Sequence, residues 1–314
     1  MTDVKGSLIK NKRIFITGGT GFFGKSLMHH CISFLENDIV VLASDTDNFR
    51  KKYSPLFNGK RIEFIQGDVR DFKFPEANFD YIIHAAATSG KIIPDDEMRS
   101  VVIDGTKHVL NFALQNTNLV NFLFVSSGAV YGNQYQIPMH ENLPCKPVTV
   151  YGKTKLEAEI LCLHSGISCN IARCFAFIGE YLPLDAHFAI GNFIYNCLND
   201  QTIVIKGDGT PIRTYLYSGD LAHWLWTILI HGKPGRVYNV GSNHEISIRI
   251  LAETVRKISR TKNEIKILSP LSGTQPEHYK PNIVRVYQEL GLEPKISLEE
   301  AIRLTLDYHR RLTY

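Results

Sequence analysis

The chain has 314 residues, 44% of them hydrophobic, with 35 basic and 31 acidic side chains and a net charge of +4. Its densest basic spots, Arg50-Lys51-Lys52 and Lys60-Arg61, are too short for a nucleic-acid footprint. No apolar run approaches the roughly 18 residues that span a bilayer, and Met1 to Lys12 holds no apolar signal core. The six cysteines form no CxxC pair and the twelve histidines no HxxxH or HExxH spacing. A cytoplasmic protein with reduced thiols, no metal, and no nucleic-acid or membrane partner is expected.

In chain order, short β-branched runs alternate with helical periodicity. Arg13 to Thr17 is a buried strand ending at glycines, and Phe22 to Glu36 has helical spacing. Ile39 to Leu42, Ile62 to Ile65 and Tyr81 to His84 read as strands. Val101 to Gln115 reads as a helix, Phe122 to Ser126 as a strand, Lys153 to His164 as a helix and Ser168 to Arg173 as a strand. This rhythm predicts an α/β fold with a doubly wound parallel sheet. Beyond it turn signals crowd in, and short helices are expected at Ala189–Asn199, Gly219–Ile230 and Ile246–Ser259. The expected division is residues 1–174 for the sheet domain and 175–314 for a smaller lobe, with interleaving allowed. The lobe would cover the carboxyl edge of the sheet, where open α/β folds bind ligands.

Gly18, Gly21 and Gly24 sit between the first strand and the first helix. Glycines there let a pyrophosphate approach the backbone, and the helix N-terminus favours its charge. Dinucleotide binding is therefore expected. Asp45, about twenty residues on, would bond the adenosine ribose and favours NAD. Arg50 or Lys51 could instead meet the 2′-phosphate of NADP. Asp68 is a candidate acceptor at the adenine edge, with Val69 packed beside it.

Tyr151 and Lys155, four residues apart, share a helix face. Tyrosine, with a solution pKa near 10, is a poor base at neutral pH. A neighbouring ammonium and a positive nicotinamide ring would favour its phenolate. Tyr151 is then the acid/base of an alcohol–ketone reaction, Lys155 holds the nicotinamide ribose, and Ser127 bonds the reacting oxygen, with Ser126 as the alternative serine.

In order along the chain, these landmarks resemble the extended short-chain dehydrogenase/reductase family, in particular its nucleotide-sugar epimerases, dehydratases and reductases. Thr17-Gly-Gly-Thr-Gly-Phe-Phe-Gly24 resembles the cofactor loop, which brings in Phe22 and Phe23, and Gly67-Asp68-Val69 the adenine-binding element. His84-Ala85-Ala86-Ala87 resembles the strand end that lines the cofactor. Ser126-Ser127-Gly128-Ala129-Val130-Tyr131-Gly132 resembles the catalytic-serine segment, and Tyr151-Gly-Lys-Thr-Lys155 the YxxxK motif. Gly207-Asp208-Gly209 through Arg213, Tyr217 and Asp220 resembles the C-terminal pattern. The resemblance implies a Rossmann-type domain, a nucleotide-diphosphate sugar as substrate, and a homodimer built on the helices at Val101–Gln115 and Lys153–His164. Arg213 is the implied diphosphate ligand. Thr88, Ser89, Asn192 and His278 are further substrate candidates.

The departures narrow the chemistry. The family's 4,6-dehydratases follow the serine with Asp and Glu, where this chain has Gly128 and Ala129. That argues against dehydration, and against the decarboxylases that keep the Glu. Arg173-Cys-Phe-Ala176 lacks the family's usual Asn, Val102 replaces another, and no arginine stands near Gln275 to His278. Dehydrogenase or ketoreductase chemistry and 4-epimerisation both remain open, with a non-catalytic dinucleotide sensor as the alternative.

Overall fold

The computed structural model describes residues 10–34, 37–47, 49, 61–87, 93–133, 138–186, 188–271, 273 and 276–312. Its first half runs β1 (Arg13–Thr17), α1 (Phe22–Phe34), β2 (Asp38–Ala43), β3 (Ile62–Gln66), β4 (Tyr81–His84), α2 (Asp95–Leu114) and β5 (Asn121–Ser127). A 3-10 turn (Gly128–Tyr131), α3 (Val150–Leu163) and β6 (Cys169–Cys174) follow. The second half runs β7 (Phe177–Ile178), α4 (Ala189–Leu198), β8 (Ile203–Ile205), β9 (Ile212–Arg213), β10 (Leu216–Tyr217), α5 (Ser218–His231) and β11 (Val237–Val240). It closes with β12 (Ile246–Ser247), α6 (Ile248–Ser259), β13 (Ile265–Ile267), β14 (His278–Tyr279), α7 (Val284–Leu290) and α8 (Leu298–Leu312).

Seven parallel strands form one sheet in the order β11-β6-β5-β4-β1-β2-β3. Its inner strands are buried on both faces, so they read as near-continuous apolar runs. Alternation splits each strand between two cores. Ile14, Ile16, Leu123 and Val125 pack with Leu27, Met28, Trp224 and Leu225 of α1 and α5. Phe15, Phe122 and Phe124 pack with Val102, Val109, Leu110 and Ala158 of α2 and α3. Phe15 touches the rings of Phe72, Phe79 and Phe112 at 5.0–5.5 Å, so truncating it to Ala costs about 3–5 kcal/mol.

β11 and α5 lie beyond residue 174 yet belong to the sheet domain. The chain therefore crosses the expected boundary more than once. α7 also packs on the sheet core through Val286, whereas α4, α6 and α8 build a smaller lobe with its own core, in which Phe193, Ile194, Leu251, Val255, Ile302 and Leu306 meet. Its pairings are short: β7 with β10, β8 with β13, and β12-β9-β14. Strand order reverses between β1 and β4, the crevice where doubly wound sheets bind ligands.

Candidate active site

The glycine turn closes β1 and opens α1. Gly18 has φ of +72°, and a Cβ on it would come within 2.7 Å of the Ala85 and Ala86 backbone. A Cβ on Gly24 would lie 2.2 Å from Gly19 Cα, so glycine seats the helix against the turn. A Cβ on Gly21 would meet only Gly18 O at 3.3 Å, which leaves that side of the turn open. A phosphate-sized cradle before a 13-residue helix fits a dinucleotide. The rings of Phe22 and Phe23 pack inward on Phe177, so only their backbone can line that cradle. Asp45 is exposed just past β2. Asp68 is gripped by its neighbour Arg70 at 2.5 and 2.9 Å, which holds its carboxyl below the usual range. Val69 is buried against Gly105.

Behind the alanines lies a resolved hydrogen-bond chain. Ala86 N–H donates to Thr17 Oγ1 (3.2 Å), which lies 2.7 Å from His84 Nδ1. His84 Nε2 lies 3.0 Å from Thr106 Oγ1, and that hydroxyl donates to the Val102 carbonyl. Only neutral His84 with its proton on Nε2 satisfies every partner. Burial, then the Lys155 charge, agree by pushing its pKa down to about 3. The network fixes the β4 end and with it Ala85, Ala86 and Ala87.

The two serines at the end of β5 point to opposite faces. Ser126 Oγ donates to Glu159 Oε1 at 2.5 Å, on the side away from Tyr151. Glu159 in turn holds Arg173 through contacts of 2.7–3.2 Å, with both partners buried. Burial works against the Arg173 charge, but the Glu159 hydrogen bonds and charge outweigh it and raise the pKa. Ser127 takes the other face. Its Oγ accepts from Ala129 N–H at 3.2 Å and faces the side on which Tyr151 lies. Thr149 caps α3 by accepting from Gly152 N–H at 3.1 Å, which sets Tyr151 in the first turn. Burial pushes the Tyr151 phenol up to about 12, and the Ser127 hydrogen bond opposes that rise.

Lys155 is 2% exposed, and its ammonium donates to the Val125 carbonyl at 2.9 Å while lying 4.8 Å from the Phe124 ring centre. Burial lowers its pKa to about 8. The ammonium is thus held by the strand backbone, and the charge it lends Tyr151 is not among the causes that shift the phenol. Three N–H donors leave two for another partner.

The lobe supplies a residue that the sequence reading missed. Tyr279 of β14 lies beside Gly128, near Ser127 and Tyr151. Its ring packs on that of Phe175, tilted by 39° with ring centres 4.7 Å apart. A Cβ on Gly128 would lie 2.5 Å from the Tyr279 hydroxyl and 2.9 Å from the Phe175 ring. The only signal in the sequence was its place next to the segment expected to hold a phosphate-binding arginine.

Arg213 pairs in register with Tyr279 across β9 and β14. Its guanidinium contacts the exposed Glu277 carboxylate at 3.0 Å and the Ile212 carbonyl at 2.9 Å. His278 is adjacent to Tyr279 on β14, so its side chain takes the opposite face. There it sits near Glu245, which Lys280 holds at 2.8 Å. Asn192 is half-buried in the first turn of α4 and makes no hydrogen bond to the Ser127 cluster. Thr88, Ser89, Arg50 and Lys51 lie outside the described residues. Among those described, no group of three His, Cys, Asp or Glu is placed to hold a metal, and no helix is long and apolar enough to cross a membrane.

A glycine turn at the switch point and a Ser–Tyr–Lys group both lie at the carboxyl edge of the one sheet. A model of the NAD dependent epimerase/dehydratase family matches residues 14–241. The chain belongs to that family. It is an NAD-dependent enzyme of the extended short-chain dehydrogenase/reductase type, as its motifs implied, and NAD is the dinucleotide named for the family. Mouse dTDP-D-glucose 4,6-dehydratase is 28% identical over 96% of this chain and 89% of its own length. Arabidopsis thaliana UDP-glucuronic acid decarboxylase 6 is 28% identical over 94% of this chain and 88% of its own length. The UDP-N-acetylglucosamine 4-epimerase of Methanobrevibacter ruminantium superposes with a TM-score of 0.87 at 22% identity, covering 97% of this chain and all of that one. The fold expectation is met. Relatives that include dehydratases lend no support to the expectation against dehydration.

Proposed function

We propose that this family member oxidises and reduces a sugar carbon, C4, of a nucleotide-diphosphate sugar, as a 4-epimerase or as a dehydrogenase/ketoreductase, without dehydration. The observation that carries the reading is Gly128. The dehydratase resemblance puts an acid there, yet any side chain would collide with the Tyr279 hydroxyl and the Phe175 ring. Ala129 is likewise no acid. The chain thus keeps Ser127, Tyr151 and Lys155 but lacks the pair that removes one proton and expels a hydroxyl.

Gly18, Gly21, Gly24 and the backbone of Phe22 and Phe23 would cradle the NAD pyrophosphate. Asp45 would meet the ribose, Asp68 and Val69 the adenine, and Ala85, Ala86 and Ala87 the middle of the cofactor. Bound NAD supplies a hydride acceptor and donor. Tyr151 would take the hydroxyl proton from the sugar or return it, while Ser127 bonds the same oxygen. Lys155 would turn its remaining donors to the nicotinamide ribose. Arg213 would exchange Glu277 for the diphosphate, since a guanidinium meets phosphate bidentately. Glu277 is 66% exposed, so water can take its place at little cost. We propose a homodimer through α2 and α3, where Leu114, Val150, Ile160 and Leu163 leave apolar surface exposed.

The test is product mass after incubation with NAD and a panel of UDP- and dTDP-sugars. An epimer keeps the substrate mass, and a 4-keto sugar is lighter by two hydrogens. A product lighter by one water would overturn the reading.

A further inference from the structure

We propose that Asn239 is a positioning residue, a clamp that sets the lobe strand carrying Tyr279 against the turn that follows Ser127. Its effect on turnover rests on the function proposed above.

β11 lies at the edge of the sheet, with β6 as its neighbour. Asn239 is fully buried there, and its side chain leaves the strand to hold two segments at once. The amide oxygen accepts from the Tyr131 hydroxyl at 2.8 Å, and Tyr131 closes the 3-10 turn that opens directly after Ser127. The amide nitrogen donates to the Met139 carbonyl at 2.8 Å and to the Asn282 carbonyl at 3.1 Å. Both carbonyls can only accept, so this orientation of the amide satisfies all three partners. The Asn239 backbone N–H donates at 3.0 Å to Glu141, whose side chain is 3% exposed and covers the outer edge of β11.

Both arms lead into the site. Met139 N–H donates to the Lys280 carbonyl at 2.9 Å, and Asn282 N–H to the Met139 carbonyl at 2.7 Å. Residues 280–282 follow β14 directly, so the amide fixes the exit of the strand that carries Tyr279 and, through register, Arg213 of β9. Pro281 also packs on β11's end, where a Cβ on Gly241 would lie 2.9 Å from its ring. On the other arm the turn begins at Gly128, and the Tyr279 hydroxyl lies 2.5 Å from where a Gly128 Cβ would stand. The two segments that Asn239 joins therefore meet again inside the site. Asn239 is 108 residues from Tyr131 and 100 from Met139, so chain connectivity does not supply this alignment. Under the proposed function the lobe holds the diphosphate through Arg213, while the sheet holds NAD and presents Ser127 and Tyr151. The clamp then sets how the sugar meets the nicotinamide without touching either.

The test cuts one arm at a time in the full chain. Tyr131→Phe keeps the ring against the Arg173 guanidinium and removes the hydroxyl. Misplacement of bound reactants is costly, so kcat should fall about 10- to 100-fold. Affinities for NAD+ and for free UDP or dTDP should stay within about twofold, because each partner still has its own half of the site. Asn239→Leu cuts both arms, and Tyr131→Phe in that background should lower kcat no further. If Asn239→Leu does not fold, Tyr131→Phe decides alone. Hydrogen exchange of the ligand-free protein supplies a readout without turnover. Tyr131→Phe should speed exchange at the Met139 and Asn282 amides about tenfold and leave the β2 amides unchanged. A lower melting temperature with kcat unmoved, or faster exchange confined to residues 128–132, would overturn the clamp. So would a matching loss of affinity for NAD+ or the nucleotide, which marks general loosening. A wild type that turns over no nucleotide sugar would instead sink the functional reading, and the exchange rates would still decide the clamp.

Discussion

Replacing Lys155 with Met measures what its buried ammonium costs the fold. The side chain is almost fully buried, and its pKa falls from 10.5 to about 8 because water is excluded. At 1.36 kcal/mol per pH unit, that fall is a stability cost of about 3 kcal/mol. The pKa is depressed on folding, so between about pH 8 and 10.5 the unfolded chain binds more protons than the native one. Stability therefore rises with pH across that window, and below pH 8 the full cost is present. Met has similar length and no charge, so the variant lacks this rise. At neutral pH the gain is offset by the Val125 carbonyl left without its donor, a loss of about 1–3 kcal/mol. The decisive quantity is the difference in unfolding free energy between variant and wild type, followed by urea denaturation without NAD from neutral pH to pH 10.5. The difference should move by about 3 kcal/mol in favour of wild type as pH rises. Buried thiols and tyrosines titrate in both proteins and largely cancel. A pH-independent difference would refute the claim that a desolvated ammonium sits at this position.

Ser126→Ala and Ser127→Ala should part company. The first loses a buried bond to Glu159 and about 1 kcal/mol or more of stability with turnover within a fewfold of wild type, whereas the second loses about 100- to 1000-fold in turnover, read from the rate of product formation. Gly128→Asp should lower stability by about 1–3 kcal/mol through the collision with Tyr279 and Phe175, and its products should show no loss of water by mass spectrometry. Glu159→Gln leaves a buried guanidinium without its counter-charge and should cost about 3–5 kcal/mol in chemical denaturation.

The sheet was readable because its strands are buried on both faces. Arg13–Thr17 and Tyr81–His84 are single apolar runs bounded by turn residues, and the sequence reading matches both ends of each. The helix expected at Val101–Gln115 begins instead at Asp95, because three acidic residues open it and carry no apolar periodicity. The lobe was less readable. Strands of two residues, such as Ile212–Arg213 and Leu216–Tyr217, are too short for alternation to register. Their pairing comes from distant segments, as β9 with β14. The same holds within the site. Ser126 and Ser127 are chemically identical in sequence. Only the β5 pleat, which turns one toward the Glu159–Arg173 pair and the other toward Tyr151, tells them apart.

Tyr279 makes the point most sharply, since its role depends on register rather than on composition. Three consecutive residues, His278, Tyr279 and Lys280, offer two cationic candidates and one phenol. A search for a phosphate ligand favours the cations. Side chains alternate across a strand, so only one of the two sets can face the crevice. The pairing of Tyr279 with Arg213 puts the phenol beside Gly128 and leaves Lys280 with Glu245. A slip of one residue would bring His278 and Lys280 to that position and send the phenol away. The Lys280 ammonium there would stabilise a nearby phenolate and make Tyr151 a weaker acid–base switch, because a proton too easily lost is not readily returned. The register that pairs β14 with β9 therefore also selects a neutral phenol beside Gly128, a consequence invisible until the two strands are paired.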